Sequence, residues 1–282
     1  MDFTITKYRE LVSALKDAGY VFVTYAEYAE GRGGNRLIVM RHDVDRQVER
    51  ARRLAEVEND MGGRASYYFR EKFIDDEIRY IESLGHEVGY HYEELVAEKG
   101  DVDKAYARFV RNVKKMRQVA DVRTITMHGS PMSRFDSKDM WRVYDYKKLG
   151  LIGEPQFDVD WDEMFYLTDT GRSWNGGNRR DKVVDFKSVW EAKGWVYKTT
   201  DDVIEALKEG RFPNRVMMTT HPQRWADGWG EWLKELVVQR IKNLEVPIGR
   251  IDAVLDTDAN MMRYVYQIER DALMEDLINK LI

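Results

Sequence analysis

The densest chemistry in the chain is Arg41-His42-Asp43-Val44-Asp45, which follows the apolar run Leu37-Ile38-Val39-Met40. Four apolar residues in a row predict a short buried strand. A buried strand ending in charge delivers that charge to the rim of a core, where α/β folds build their sites. On an extended chain, side chains at i and i+2 point the same way. Asp43 and Asp45 therefore suit a shared cation, or a division of labour between metal ligand and base. A plainer reading stands beside this one, in which the two aspartates cap a helix starting near Arg46 and His42 is merely packed. The chain's five histidines bear on the choice: His42, His91, His128 and His221 each follow a predicted strand, and His86 opens the strand that ends at His91. In a parallel barrel all such ends lie on one rim, so residues far apart in sequence converge there. Histidines with nearby aspartates suit Zn²⁺ or a similar divalent ion. Such an ion lowers the pKa of a bound water and polarises a carbonyl or phosphoryl oxygen.

The elements that must position these residues follow from periodicity. Helical spacing is expected over 6–18, where Tyr8, Leu11, Val12 and Leu15 share a face, and again over 46–60, 75–84, 101–119, 201–208 and 229–243. Strands are expected over 37–40, 65–70, 87–90, 122–127 and 215–220, with an extended segment over 20–25. From 132 to about 200 the periodicity weakens, leaving short apolar pieces at 149–152, 164–167 and 183–186. Alternation of strand and helix from 37 to 243 predicts βα units on a parallel sheet, read here as one barrel-like domain over 1–282. A last helix over 256–282 carries Val265, Ile268, Leu273, Leu277 and Leu281 on one side. That stripe is expected to pack on the barrel, with a homodimer contact as its sharper alternative.

Composition removes several classes of function. The 282 residues are 43% apolar and 34% charged with a formal charge of -5, so no basic field invites nucleic acid. No cysteine occurs, which excludes disulfides, thiolate nucleophiles and cysteine-based zinc sites. The N-terminal stretch is too charged for a signal peptide, and no apolar run approaches the ~20 residues of a membrane span; a cytoplasmic protein is expected. The 16 tyrosines and 8 tryptophans provide core, but flat rings are also what sugar faces stack on.

In order along the chain, Arg41-His42-Asp43-Val44-Asp45, then Gly85-His86-Glu87-Val88-Gly89-Tyr90-His91, then Thr220-His221 resemble the polysaccharide deacetylase family of carbohydrate esterases. The resemblance spans about 37–225 and implies a distorted (β/α) barrel with about seven strands, a divalent metal, and hydrolysis of an N-acetyl or similar amide on a sugar. Asp43 resembles the family's catalytic base, Asp45 and His91 its metal ligands, and His221 its general acid. Two departures stand out. The family's second histidine, four residues after the first, is replaced by Leu95, which cannot bind a metal. His128, at a neighbouring strand end, is the preferred substitute, with Glu94 as the alternative. The family's Arg-Pro-Pro element is also missing, and His128-Gly129-Ser130-Pro131 stands in its place.

The stretch 165–177 is rich in polar and aromatic groups, and is read either as a connecting loop with a buried Trp or as a ligand lid. In the lid reading Trp174 stacks on a sugar ring and Arg172 pairs with a carboxylate or phosphate. A phosphate partner would point to a nucleotide- or lipid-linked sugar, as in the variant deacetylases of surface-polysaccharide assembly. Two rivals remain open: a sugar-binding protein that has lost catalysis on the same scaffold, and a metal phosphoesterase.

Overall fold

The apolar run at Leu37 opens a strand longer than the sequence suggests. In the computed structural model, which describes residues 1–72, 75–130, 133–174, 186–233 and 235–236, strand β2 extends over Leu37–Val44 and every residue of it is buried. It carries Arg41, His42 and Asp43 within the ladder rather than beyond it. The helix that follows, Val48–Asp60, begins at Gln47, whose backbone is left-handed (φ 54°) and makes no side-chain cap. Neither Asp43 nor Asp45 caps it, so the capping account of these aspartates is corrected.

The strands among the described residues are β1 (Val21–Val23), β2, β3 (Ser66–Phe69), β4 (Glu87–Tyr92), β5 (Ile125–Met127), β6 (Phe165–Thr168) and β7 (Arg215–Thr220). Every pairing is parallel, in the order β5-β4-β3-β2-β7-β6 with β1 also on β2. One edge of β2 is occupied from Leu37 to His42 by β7. Its other edge is therefore shared, by β1 along Leu37–Val39 and by β3 along Arg41–Val44. The result is a curled, distorted (β/α) barrel, with an isolated parallel bridge from Thr124 to Gly153 beside β5.

Alternation along each strand sorts side chains into two layers. Leu37, Val39, Tyr68 and Met217 pack with Val159 and Met164 inside the barrel, whereas Ile38, Met40, Tyr67, Val88, Tyr90, Ile125 and Met218 meet the helices outside. By the same parity, β2 directs Leu37, Val39, Arg41 and Asp43 inward as one file, apolar below and charged above. Gly89 serves this packing: a Cβ there would overlap the Tyr68 ring on the paired position of β3.

The outer layer contains α1 (Ile5–Asp17), α3 (Val48–Asp60), α4 (Asp75–Ser83), α6 (Val102–Met116) and α9 (Thr200–Lys208), with the short α2 (Tyr25–Ala29), α5 (Glu94–Ala97), α7 (Pro155–Asp158) and α8 (Lys187–Ala192) between strands. On α3 Ala51, Leu54, Ala55 and Val57 are buried and Val48 is half-buried. Contacts divide the chain into Met1–Ala226, which contains the barrel, and Asp227–Ile282. The helix expected from Trp229 begins there. The one expected over 256–282, with its packing and dimer roles, lies outside the described residues. No helix among the described residues is long and apolar enough to cross a membrane.

Candidate metal centre and its flanking dyads

Asp45, His91 and His128 come from the ends of β2, β4 and β5 and meet at the C-terminal rim. Asp45 Oδ1 lies 3.5 Å from His91 Nε2 and 3.1 Å from His128 Nδ1, and the two nitrogens are 3.2 Å apart. Tetrahedral zinc, with bonds of about 2.0–2.1 Å, spaces its ligand atoms about 3.3 Å apart. The triangle therefore has the dimensions of one face of that tetrahedron. His91 Nδ1 lies 3.0 Å from the Thr126 carbonyl oxygen, which can only accept, so Nδ1 carries the proton and Nε2 offers a lone pair. Asp45 Oδ1 is buried and neither imidazole contact gives it hydrogen-bond geometry. His91 Nε2 and His128 Nδ1 lie at hydrogen-bond distance, with His128 as the donor while its Nδ1 carries the proton. In the other tautomer of His128 all three atoms turn lone pairs to one point, and in that state the residues present fit a divalent ion. Burial pushes the Asp45 carboxyl up, but His128 and His91 beside it, with His221 further off, hold it well below the usual carboxylate range.

His128, rather than Glu94, completes the triangle. Glu94 is buried on α5, where it accepts from the Tyr90 hydroxyl of β4 and from Asn112 Nδ2 of α6, the latter at 3.0 Å. Leu95 is buried in the outer core.

Asp43 stands beside the triangle, with Oδ2 3.8 Å from His91 Nε2. Both its oxygens accept from one guanidinium: Arg41 Nε donates to Oδ1 and Nη2 to Oδ2, each at 2.8 Å. The i, i+2 spacing makes this clamp, since both residues face the barrel interior. Burial raises the Asp43 carboxyl, but Arg41, then His91 and His221, bring it below its ordinary value. Sequence reasoning singled out Asp43 and overlooked that Arg41, two residues earlier, occupies it.

His221 is the residue after Thr220, which pairs with His42, so it stands level with Asp43 across the β2–β7 ladder. Its Nδ1 lies 2.6 Å from Asp169 Oδ1, and its backbone N–H donates to Asp169 Oδ2 at 3.0 Å. Arg224 Nη1 and the Trp225 indole N–H also donate to Asp169, at 2.8 and 3.0 Å. Asp169 is fully buried; burial raises its carboxyl, and Arg224 and His221 outweigh this and lower it. Asp169 was quoted in the sequence only as part of a loop. The signal was there, because it directly follows the strand Phe165–Thr168, as the histidines follow theirs.

The tryptophan of that loop has another job. Trp174 is 0% exposed and packs on Phe3 and Trp225 at centroid distances of 6.1 and 6.2 Å, its N–H donating to Thr200 Oγ1. It has no free face for a sugar ring, so the stacking expectation is corrected: its large apolar surface supports Trp225, which in turn holds Asp169. Arg172 adopts a left-handed backbone (φ 60°) on the turn after Asp169 and sets its guanidinium 5.8 Å from the Phe3 ring centre.

His42 and His86 belong to the outer layer. His42 Nε2 lies 2.8 Å from Glu58 Oε1 and Nδ1 lies 2.6 Å from Thr220 Oγ1. Glu58 also accepts from Tyr8 and Tyr67. His86 Nδ1 accepts from the Ala65 N–H, and Nε2 lies 3.0 Å from the Ala55 carbonyl. Both histidines are satisfied core groups.

No protein-family model matches the chain. No curated protein matches it either. Among solved structures it is similar to a CE4 family pseudoenzyme from Bacillus anthracis, at 12% identity over 75% of this chain with a TM-score of 0.39. It is also similar to a Streptococcus mutans CE4 esterase, at 13% identity over 79% of this chain and 87% of that one with a TM-score of 0.41. A family 4 carbohydrate esterase from Bacillus anthracis matches at 12% identity over 81% of each chain with a TM-score of 0.34. The chain spans 62% of the length of the first of these. At such identities no residue role transfers, and the chemistry rests on the geometry above.

Proposed function

We propose that the chain is a metal-dependent hydrolase that removes an acyl group, acetyl foremost, from the nitrogen of a sugar in polysaccharide or glycoconjugate assembly. The observation that carries this reading is the triangle of Asp45, His91 and His128 at 3.1–3.5 Å, flanked by a carboxylate on one side and a carboxylate-held imidazole on the other. A bound Zn²⁺ would supply Lewis acidity toward the acyl oxygen and acidity to a water.

The remaining chemistry belongs to the chain. Asp43, kept ionised and fixed in plane by Arg41, accepts the proton of the attacking water. With Nδ1–H donated to Asp169, His221 presents Nε2 as the nitrogen that protonates the departing amine, and Asp169 stabilises the resulting imidazolium. Water adds its oxygen to the acyl carbon, the C–N bond breaks, and the amine leaves with a proton, giving a carboxylic acid and an amino sugar. A cytoplasmic, carrier-linked sugar whose phosphate pairs with Arg172 is the substrate form we infer from the sequence.

Acetate release from N-acetylglucosamine oligomers tests the reading, with Zn²⁺-loaded wild type against Asp43→Ala and His221→Ala. Wild type is expected to release acetate, and both variants to fall at least about 100-fold while still binding Zn²⁺. Zn²⁺-loaded wild type that releases no acetate would return the chain to the sugar-binding alternative. Phosphate release from aryl phosphates instead would assign it to phosphoryl transfer.

A further inference from the structure

Gln223 sits two residues past His221, and its side-chain Nε2 donates to Asp45 Oδ2 at 3.1 Å. A carboxylate only accepts hydrogen bonds, so the amide must turn its nitrogen to Asp45. That orientation leaves Gln223 Oε1 buried without a donor. The backbone is fixed as well: Pro222 precedes the residue, and Arg50 Nη1 donates to its carbonyl at 2.5 Å. A side chain placed only to fill the core would be apolar or would satisfy both ends of its amide. Gln223 does neither.

We infer that Gln223 is a positioning residue for the metal centre, a role that rests on the reading of Asp45 as a ligand. With Oδ2 held by the amide, Oδ1 is the oxygen left to the ion, and the carboxylate plane is locked toward His91 and His128. The link also joins two rim elements, because Gln223 lies on the turn after β7 while Asp45 directly follows β2. Outer partners of this kind fix ligand orientation, and their removal weakens metal binding about 10–100-fold.

The test uses the full-length chain and Zn²⁺ alone as the probe. Dissociation constants are measured by chelator competition for wild type, Asp45→Ala, Gln223→Met and Gln223→Leu, together with the metal-free melting midpoint of each. Met keeps the length of the side chain and loses its donor; Leu also loses the donor, with a shorter and branched shape, should Met misfold. The expected result is Zn²⁺ binding weakened about 10–100-fold in the Gln223 variants, with metal-free midpoints near that of wild type. A folded Gln223 variant that binds Zn²⁺ within twofold of wild type overturns the positioning role and leaves the ligand reading intact. Wild type that binds no Zn²⁺, or Asp45→Ala that binds as wild type does, overturns the ligand reading and this inference with it.

Discussion

At the scale of single residues, the site works through carboxylates that have been given partners. Asp169 is the clearest case, with four donors and no exposure. Asp169→Asn keeps the shape but loses the charge that fixes the His221 tautomer. Its kcat for acyl release is expected to fall about 10²–10⁴-fold with Zn²⁺ affinity unchanged, as steady-state kinetics beside a binding titration would reveal; equal losses in both would sink the dyad role. Glu154 is the opposite kind of carboxylate. It is fully buried, accepts from the Met127 and Gln156 N–H groups, and burial lifts it from 4.5 to about 7 despite Arg41 nearby. A raised carboxyl contributes stability below its unfolded value and loses it as pH rises through the folded one. The stability of wild type relative to Glu154→Gln should therefore shrink by roughly 2 kcal/mol between pH 5 and pH 8, measured by urea unfolding. A gap that stays constant or widens would contradict it.

At the scale of elements, β2 explains why so much chemistry fits into five residues. Strand parity sends Arg41 and Asp43 into the barrel, while His42 between them goes to the helix layer and meets Glu58. One slip of register would exchange those environments, so the ladders on both edges of β2 are functional constraints. Gly89 is part of the same constraint, since the Tyr68 ring fills the space a side chain would take. Gly89→Ala forces that buried ring or the β3–β4 backbone to move, and should destabilise the fold by about 1–3 kcal/mol in chemical denaturation. A loss within a few tenths of a kcal/mol would mean that the ring relaxes freely.

At the scale of the molecule, the candidate ligands Asp45, His91 and His128 come from the ends of three strands and only the folded barrel assembles them. An ion that binds the native state alone stabilises it by mass action, about 2.7 kcal/mol at 100 times its Kd. For a chain of this size that is a rise in melting midpoint of about 5–10 °C. Saturating Zn²⁺ should produce such a rise in wild type and none in His128→Ala; a rise of the same size in both would place the ion elsewhere.

The sequence by itself determined the alternation of strands and helices, the rim on which His91, His128 and His221 fall (though not that His42 turns to the helix layer), and the candidate set Asp43, Asp45, His91, His128 and His221. These are local properties, because periodicity and strand-end position are written in consecutive residues. It left the third ligand open between His128 and Glu94, offered Trp174 as a sugar platform, and passed over Asp169, Arg41 and Gln223. Each of those depends on which way a side chain turns once distant elements pack. Glu94 turns to Asn112 on α6, Trp174 is drawn into the core between Phe3 and Trp225, and Asp169 meets His221 only because β6 pairs with β7. Burial energy and hydrogen-bond satisfaction across the whole barrel make those choices, and a linear pattern carries neither.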